Sequence, residues 1–223
     1  MKLSEKTLNL LKNFASINQS ILFKQGSSLR TMSVMKNILA EADISEEVPQ
    51  DFAIYDLVQF LNGISLYADP ELDFQHQSYL TIRDGKTNRT KYFFADPSVI
   101  VAPPEKSLPL PSEDVSFSMT TNDLTQLLKA AAVYQLPDFS VVGGNGAVYL
   151  VVRDKKNDTS NDFSIVVGET DKKFSFNFKV ENIKILPGPY EVVISEKLLS
   201  RFYNENYNLT YYIALEPDST FES

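Results

Sequence analysis

Ser4-Glu-Lys-Thr-Leu-Asn-Leu-Leu-Lys-Asn-Phe14 and Thr121-Asn-Asp-Leu-Thr-Gln-Leu-Leu-Lys-Ala-Ala131 follow one design, and their repetition decides how the rest of the chain reads. At about 100° per residue, Thr7, Leu8, Leu10, Leu11, Phe14 and Ala15 of the first stretch fall in one arc. Glu5, Lys6, Asn9, Lys12, Asn13 and Ser16 fill the opposite arc, so an amphipathic helix is predicted. Ser4 is placed to cap it, Leu3 to staple its first turn, and Glu5 to meet the positive end of its dipole. In the second stretch Leu124, Leu127, Leu128, Ala131 and Ala132 make the apolar stripe. Asn122, Gln126 and Lys129 lie opposite, with Asp123 in the first turn. Both helices lead into strand-like sequence. Each half then ends on an aromatic strand and an acidic Pro/Ser turn, Tyr92-Phe-Phe-Ala-Asp-Pro-Ser98 and Tyr212-Ile-Ala-Leu-Glu-Pro-Asp-Ser219. A repeat of about 110 residues is too long for a solenoid and fits two domains of one fold.

Outward from these helices the pattern continues. Asp56 is an N-cap for a further helix with Leu57, Phe60, Leu61 and Ile64 inward and Gln59, Asn62 and Gly63 outward. Its counterpart in the second half is the short run Val180-Glu-Asn-Ile-Lys-Ile-Leu186, stopped by Pro187-Gly188. The remainder reads as strands. Thr81 to Phe94 forms two strands around Asp84-Gly85. Gly143-Gly-Asn-Gly146 turns a hairpin between Phe139–Val142 and Ala147–Val152. Phe174, Phe176 and Phe178 alternate along another strand, and Tyr190–Ile194 and Leu209–Leu215 complete the set. The expected class is α+β: two similar domains of antiparallel sheet with two helices each. Val99-Ile-Val-Ala-Pro-Pro-Glu-Lys-Ser-Leu-Pro-Leu-Pro-Ser112 separates them, its four prolines favouring an extended connector. The divisions are thus 1–98, 99–112 and 113–223.

Composition narrows the chemistry. The chain has 223 residues, 43% hydrophobic and 22% charged, which is enough for a real core. With no cysteine there is no disulfide, thiolate metal site or cysteine nucleophile. The N-terminus lacks the apolar run of a signal peptide and no stretch is long enough to span a membrane, so a soluble intracellular protein is expected. His76, the one histidine, stands in Asp73-Phe-Gln-His-Gln-Ser with no glycine elbow nearby, and Gly143-Gly-Asn-Gly146 is followed by neither Lys-Ser/Thr nor a helix. The carboxylates gather in turns, at Glu46-Glu47, Asp158, Asp162, Glu169 and Asp171. No catalytic residue, metal ligand or cofactor site is therefore expected. Arg83, Lys86, Arg89 and Lys91 form a small basic hairpin that reads first as a solvated turn, with a phosphate or partner contact as the lesser alternative.

The net charge is −8, divided unevenly: residues 1–110 carry 11 Lys+Arg against 13 Asp+Glu, and residues 111–223 carry 10 against 16. Such a chain has no general attraction for nucleic acid. Lys6, Lys12 and Lys129 nevertheless occupy matching solvent faces of the repeated helices, flanked by Asn and Gln rather than acids. That pattern suits a surface that faces phosphates loosely.

The chain resembles the DNA polymerase sliding clamps of T-even-type bacteriophages. The similarity is carried by Met1-Lys-Leu-Ser4, Leu11-Lys-Asn-Phe-Ala15, Ala53-Ile-Tyr-Asp-Leu57, Ala95-Asp-Pro-Ser98 with Val101-Ala-Pro103, Phe176-Asn-Phe178, Pro187-Gly188 with Tyr190, and Ala214-Leu-Glu216 with Asp218-Ser-Thr220. It runs the whole length and departs in the loops at Val34–Ile38 and Lys155–Thr170. The resemblance implies a non-catalytic homotrimeric ring of head-to-tail subunits that encircles duplex DNA and tethers the replicative DNA polymerase, placed there by an ATP-dependent clamp loader. It implies action in the cytoplasm of an infected bacterium, without membrane or cofactor. Lys6, Lys12, Lys129 and Lys184 would then face DNA. Val99, Ile100 and Val101 with Tyr212, Ala214 and Leu215 would form a pocket for partner peptides. Two other classes compete on sequence alone: an enzyme with paired acids in a cleft, and an acidic scaffold or DNA mimic without a ring.

Overall fold

The computed structural model describes residues 1–85, 87–106 and 108–222. The chain divides into two compact units, Met1–Lys106 with Tyr207–Leu209, and Ser107–Asn206 with Thr210–Ser223.

In the first unit α1 (Glu5–Ile17) begins where the Ser4 side chain accepts from the Thr7 amide and ends as the Asn18 amide bonds back to Phe14. It buries Thr7, Leu10, Leu11, Phe14 and Ile17. There follow β1 (Ile21–Phe23), β2 (Gly26–Met32), β3 (Ile38–Val48), β4 (Phe52–Ile54), α2 (Leu57–Ile64), β5 (Glu71–Asp73), β6 (Tyr79–Asp84) and β7 (Asn88–Phe93). Every pairing is antiparallel: β1 with β4, β2 with β3, and β5–β6–β7 in that order. α2 is capped by Asp56 and buries Leu57, Phe60, Leu61 and Ile64, the residues its pattern assigns inward. Aromatic rings fill the space beneath. Phe23 stacks on Phe52 at 4.4 Å, and Phe60 meets Tyr92 edge-on at 5.0 Å.

In the second unit come β8 (Val115–Met119), α3 (Thr121–Tyr134), β9 (Asp138–Gly144), β10 (Ala147–Arg153), β11 (Phe163–Glu169), β12 (Lys173–Lys179), β13 (Tyr190–Ser195), β14 (Leu199–Asn204), β15 (Leu209–Ala214) and β16 (Thr220–Glu222). One sheet runs β11–β10–β9–β12–β16, and β15–β14–β13–β8 are neighbours in another. Thr120 and Asp123 cap α3 reciprocally, each side chain bonding the other's backbone amide. The β9–β10 hairpin closes on Asn145 and Gly146, both at positive φ (53° and 82°), as a two-residue turn with the twist of its strands requires. Phe174, Phe176 and Phe178 of β12 all point into the core.

Three expectations change. The second half has one α-helix rather than two, for Val180–Asn182 is a single 3-10 turn. Beyond it Ile183 and Ile185 are buried while Lys184 is exposed, an alternation of period two that no helix presents. Tyrosine hydroxyls replace the helical partners there: Tyr190 donates to the Leu186 carbonyl at 2.6 Å, and the Leu186 amide donates to Tyr211 at 3.1 Å. The cap of α3 is Thr120, one residue earlier than the repeat begins. Ala132 is exposed rather than part of the buried stripe.

Gly143 has no room for a side chain. A Cβ there would stand 2.3 Å from the Phe174 ring, which is itself stacked on Phe176 at 5.1 Å. Gly143→Ala is expected to destabilise the protein by about 1–3 kcal/mol through overpacking. Gly144→Ala, facing open space, is expected to be neutral or slightly stabilising. Urea denaturation midpoints of the two variants check the contrast.

Candidate functional site

Burial of one helix stripe leaves the other in solvent. α1 exposes Lys6, Asn9, Lys12 and Ser16, and α3 exposes Asn122, Thr125, Gln126 and Lys129. Neither Lys12 nor Lys129 has an ion-pair partner among the described residues. The Lys6 ammonium lies 5.5 Å from the centre of the Tyr207 ring, a cation–π contact within the first unit. Lys184 is exposed on the extended segment after the 3-10 turn, not on a helix. Each unit thus presents a polar helix face with lysines and amides, and its acids, Glu5 and Asp123, sit in the first turns.

The start of α1 is held from β3. Glu46 accepts hydrogen bonds from the Ser4 amide and, at 2.8 Å, from the Thr7 hydroxyl. Partial burial pushes its carboxyl pKa up, but these bonds outweigh burial and hold it below the ordinary glutamate value. The orientation of the lysine-bearing helix therefore depends on an ionised carboxylate.

The chain that leaves β7 is laid against the same unit at several points. The Ala95 amide donates to Ala53 at 2.9 Å, and Asp96 accepts from the Ser98 amide. The Asn18 side-chain amide donates to the carbonyls of Met32 and Val101, at 2.8 and 3.2 Å. One guanidinium nitrogen of Arg30 donates to the Pro104 carbonyl at 2.7 Å and the Glu105 carbonyl at 3.3 Å, while its Nε lies 3.3 Å from Glu41. A cavity of about 300 Å³ opens beside this segment, lined by Leu22, Lys24, Arg30, Ala102, Pro103 and Glu105. Of the six residues expected at a peptide pocket, Val99 is 57% exposed and Val101 and Ala214 are half-buried. Ile100, Tyr212 and Leu215 are buried and shape the surface from beneath. None of the six lines the cavity. Asn18 and Arg30, which anchor the segment, carry no sequence signal of that role beyond Asn18 standing where α1 ends.

A second buried carboxylate organises the other unit. Asp138 on β9 accepts from Lys179 at 2.6 Å and from the Lys155 amide at 3.0 Å, and Lys155 bridges to Asp218 at 2.7 Å. Burial raises the pKa of Asp138, but its bonds and charges outweigh that and hold it below the usual aspartate value. Among the described residues no three His, Cys, Asp or Glu side chains are grouped to hold a metal ion. Among the described residues no helix is long and apolar enough to cross a membrane.

The same architecture is found in a crystallised proliferating cell nuclear antigen of A. fulgidus, bound to the C-terminal region of FEN-1. It matches with a TM-score of 0.70 at 14% identity over 98% of both chains. The fold is thus that of the sliding clamps. Residues 2–102 match the family described as DNA polymerase processivity factor, and residues 116–217 the family described as gp45 sliding clamp, C terminal. The chain is 35% identical over 223 residues to the sliding clamp of Vibrio phage KVP40, covering 97% of this chain and 99% of the relative. It is also 35% identical over 232 residues to that of Escherichia phage RB69, covering all of both. It belongs to the phage sliding clamps, the processivity factors of DNA polymerases, a family of non-catalytic accessory proteins.

Because Glu46 has a lower pKa folded than unfolded, its stabilising contribution is complete above the usual glutamate range and is lost as pH falls through the folded value. Glu46→Gln is expected to lower stability at neutral pH and to flatten the decline between about pH 5 and pH 3. Thermal melts of both proteins across that range check this.

Proposed function

We propose that three copies of this chain close head to tail around double-stranded DNA and tether a replicative DNA polymerase to it. An ATP-dependent clamp loader opens and recloses the ring, in the cytoplasm of an infected bacterium. The protein itself needs no active site and no cofactor. The observation that carries this reading is the pair of matching helix faces, one per unit, that present unpaired lysines in a chain of net charge −8 belonging to the sliding clamps. Lys6, Lys12, Lys129 and Lys184 face the DNA. Firm phosphate contacts would each add to a salt-dependent affinity and slow translocation, whereas a few cations among amides only offset repulsion.

Ring closure needs two different edges on each subunit, since a head-to-tail interface is heterologous. β7 ends the order β5–β6–β7, and exposed Tyr55 and Phe93 line a groove of about 410 Å³ alongside it. β11 ends the five-stranded sheet, with Val166 exposed on it and Val133 and Tyr134 exposed at the end of α3. Unpaired strand edges beside apolar side chains are templates for pairing with another chain. We assign β7 of one copy to β11 of the next. For partner peptides we assign the connector 99–112, through Val99, Ile100 and Val101 and the adjoining cavity of the first unit, and the end of β15 with Tyr212, Ala214 and Leu215 of the second. The A. fulgidus clamp, which binds the C-terminal region of FEN-1, is the precedent for such capture.

The mass in solution is expected to be three times 25.2 kDa. Val166→Glu, at a site 60% exposed in the single chain, is expected to leave folded monomers. Light scattering with circular dichroism tests both, and a folded Val166→Glu trimer would reject the assigned edge. Lys12→Glu combined with Lys129→Glu is expected to shorten the products of a loaded polymerase at least several-fold without altering fold or mass. Unchanged product length would contradict the assignment of these faces to the pore.

A further inference from the structure

The basic hairpin read from sequence as a solvated turn is one wall of a more specific surface. On the exposed face of the β5–β6–β7 sheet, strand register sets Glu71, Arg83 and Arg89 in one row and Asp73, Thr81 and Lys91 in the next, with Tyr79 opposite Phe93 beyond them. The opposite face buries Leu72, Leu80 and Ile82. Arg83 is occupied by both acids, 3.2 Å from Glu71 and 3.5 Å from Asp73. Arg89 and Lys91 are exposed and have no carboxylate partner among the described residues. Lys86 lies outside the described residues. Arg83 and Arg89 stand directly across from one another; Glu71 and Asp73 offset the charge of Arg83 and leave that of Arg89 uncompensated.

The cations adjoin an aromatic ledge. The ring of exposed His76 lies on Tyr79 with centres 4.2 Å apart and planes 24° apart, and the Lys91 ammonium is 5.0 Å from the centre of the same Tyr79 ring. Together they wall an open, mainly polar depression of about 440 Å³ that includes Asp73, Tyr79, Arg83, Asn88, Arg89 and Lys91. Arg89 and Lys91 are two residues apart on one strand face, so their attachment points are roughly 7 Å apart. That separation is on the order of one step along an extended single strand of nucleic acid, and Asn88 adds donors and an acceptor for a base edge.

We propose that this sheet face is a binding site for single-stranded nucleic acid. Two successive phosphates lie at Arg89 and Lys91, and a base stacks on the His76–Tyr79 ledge. Cations that track a backbone beside rings that accept any base are the general means of holding single strands without sequence readout. An acidic peptide would satisfy the two cations but would leave the stacked rings without a counterpart. The site lies on the sheet face, perpendicular to the in-plane hydrogen bonds of the β7 edge, so it does not require that edge to be free. It goes beyond the proposed function, because enclosure of duplex by the helix faces asks nothing of this surface.

The experiment is fluorescence anisotropy of a labelled 12-nucleotide oligothymidylate with the full-length protein, over a salt series. Arg89→Ala combined with Lys91→Ala is expected to weaken binding at least tenfold and to lower the slope of log K against log salt by about 1.4, at about 0.7 for each phosphate released from a single strand. Tyr79→Leu, which removes the ledge without touching charge, is expected to weaken binding about fivefold or more with the slope unchanged. The Lys12→Glu, Lys129→Glu protein is expected to bind the oligonucleotide as the parent does, which separates this site from the pore. Circular dichroism and mass in solution confirm that each variant keeps its fold and assembly. Oligonucleotide binding unaffected by the Arg89, Lys91 pair, binding abolished by the pore variants instead, or a labelled polyglutamate peptide bound more tightly than the oligonucleotide would each overturn the proposal.

Discussion

An amphipathic helix laid on a sheet has little freedom in what it shows to solvent, and this constraint underlies the arrangement of both units. Leu10, Leu11 and Phe14 are completely buried under α1, and Leu124 and Leu127 nearly so under α3. Each such side chain is worth about 1.5–3 kcal/mol of burial. The electrostatic preferences of exposed lysines amount to a few tenths of a kcal/mol. Burial therefore sets the rotation of each helix, and the lysines go where the apolar stripe sends them. Glu46 adds an axial constraint by gripping the first turn of α1 at Ser4 and Thr7. The direction in which Lys6 and Lys12 point is a consequence of packing several residues away from either.

The same physics leaves debts at the sheet margins. A chain built almost wholly of antiparallel strands must end each sheet somewhere, and unpaired backbone groups at an edge attract another strand. Here β7 and β11 are end strands with large apolar side chains beside them, Phe93 at 65% and Val166 at 60% exposure. Neither strand holds a proline; β7 carries Arg89 and Lys91 and β11 pairs with β10 through a register shift, so the edges are only partly shielded. A monomer with such margins would be prone to disordered association, and a closed assembly that pairs the two kinds of edge satisfies both at once.

How much of this was legible in the sequence depended on whether the signal was local. α2 was readable to the residue and α1 in its main face, though Leu8 and Ala15 are only half-buried and Ile17 was not read as inward, because a 3.6-residue period and a capping side chain coincide; the β9–β10 hairpin was readable because Asn-Gly chemistry suits its turn. The counterpart of α2 was misread because Val180–Leu186 has helix-like composition but period-two burial, with Tyr190 and Tyr211 supplying from afar the partners a helix would supply itself. The strands β2, β3, β8 and β14 escaped notice: polar residues interrupt the pattern in β2 and β3, whereas Val115-Ser-Phe-Ser-Met119 of β8 alternates strictly and was legible in principle. The cavity at the connector joins Leu22 and Lys24 to Pro103 and Glu105, residues some eighty positions apart that no motif links. The hairpin cations were visible as charges, but that Glu71 and Asp73 engage Arg83 and leave Arg89 and Lys91 without a carboxylate was not.

A net charge of −8 is compatible with holding DNA because charge acts locally. At physiological ionic strength the screening length is about 8 Å, so a phosphate feels chiefly the side chains directly before it. Over α1 and α3 those are lysines and amides, while much of the acid is spent within the fold. Asp138 is tied to Lys179 and Lys155, Asp218 to Lys155, Glu41 to Arg30, and Glu46 to the cap of α1. The remaining acids keep the outer surface soluble and discourage binding of duplex anywhere but where the sign is reversed locally. Weak attraction confined to a small area would release any open surface within moments. Under the proposed assignment residence without tightness comes from enclosure, and the sparse lysines set how freely the protein moves rather than whether it stays.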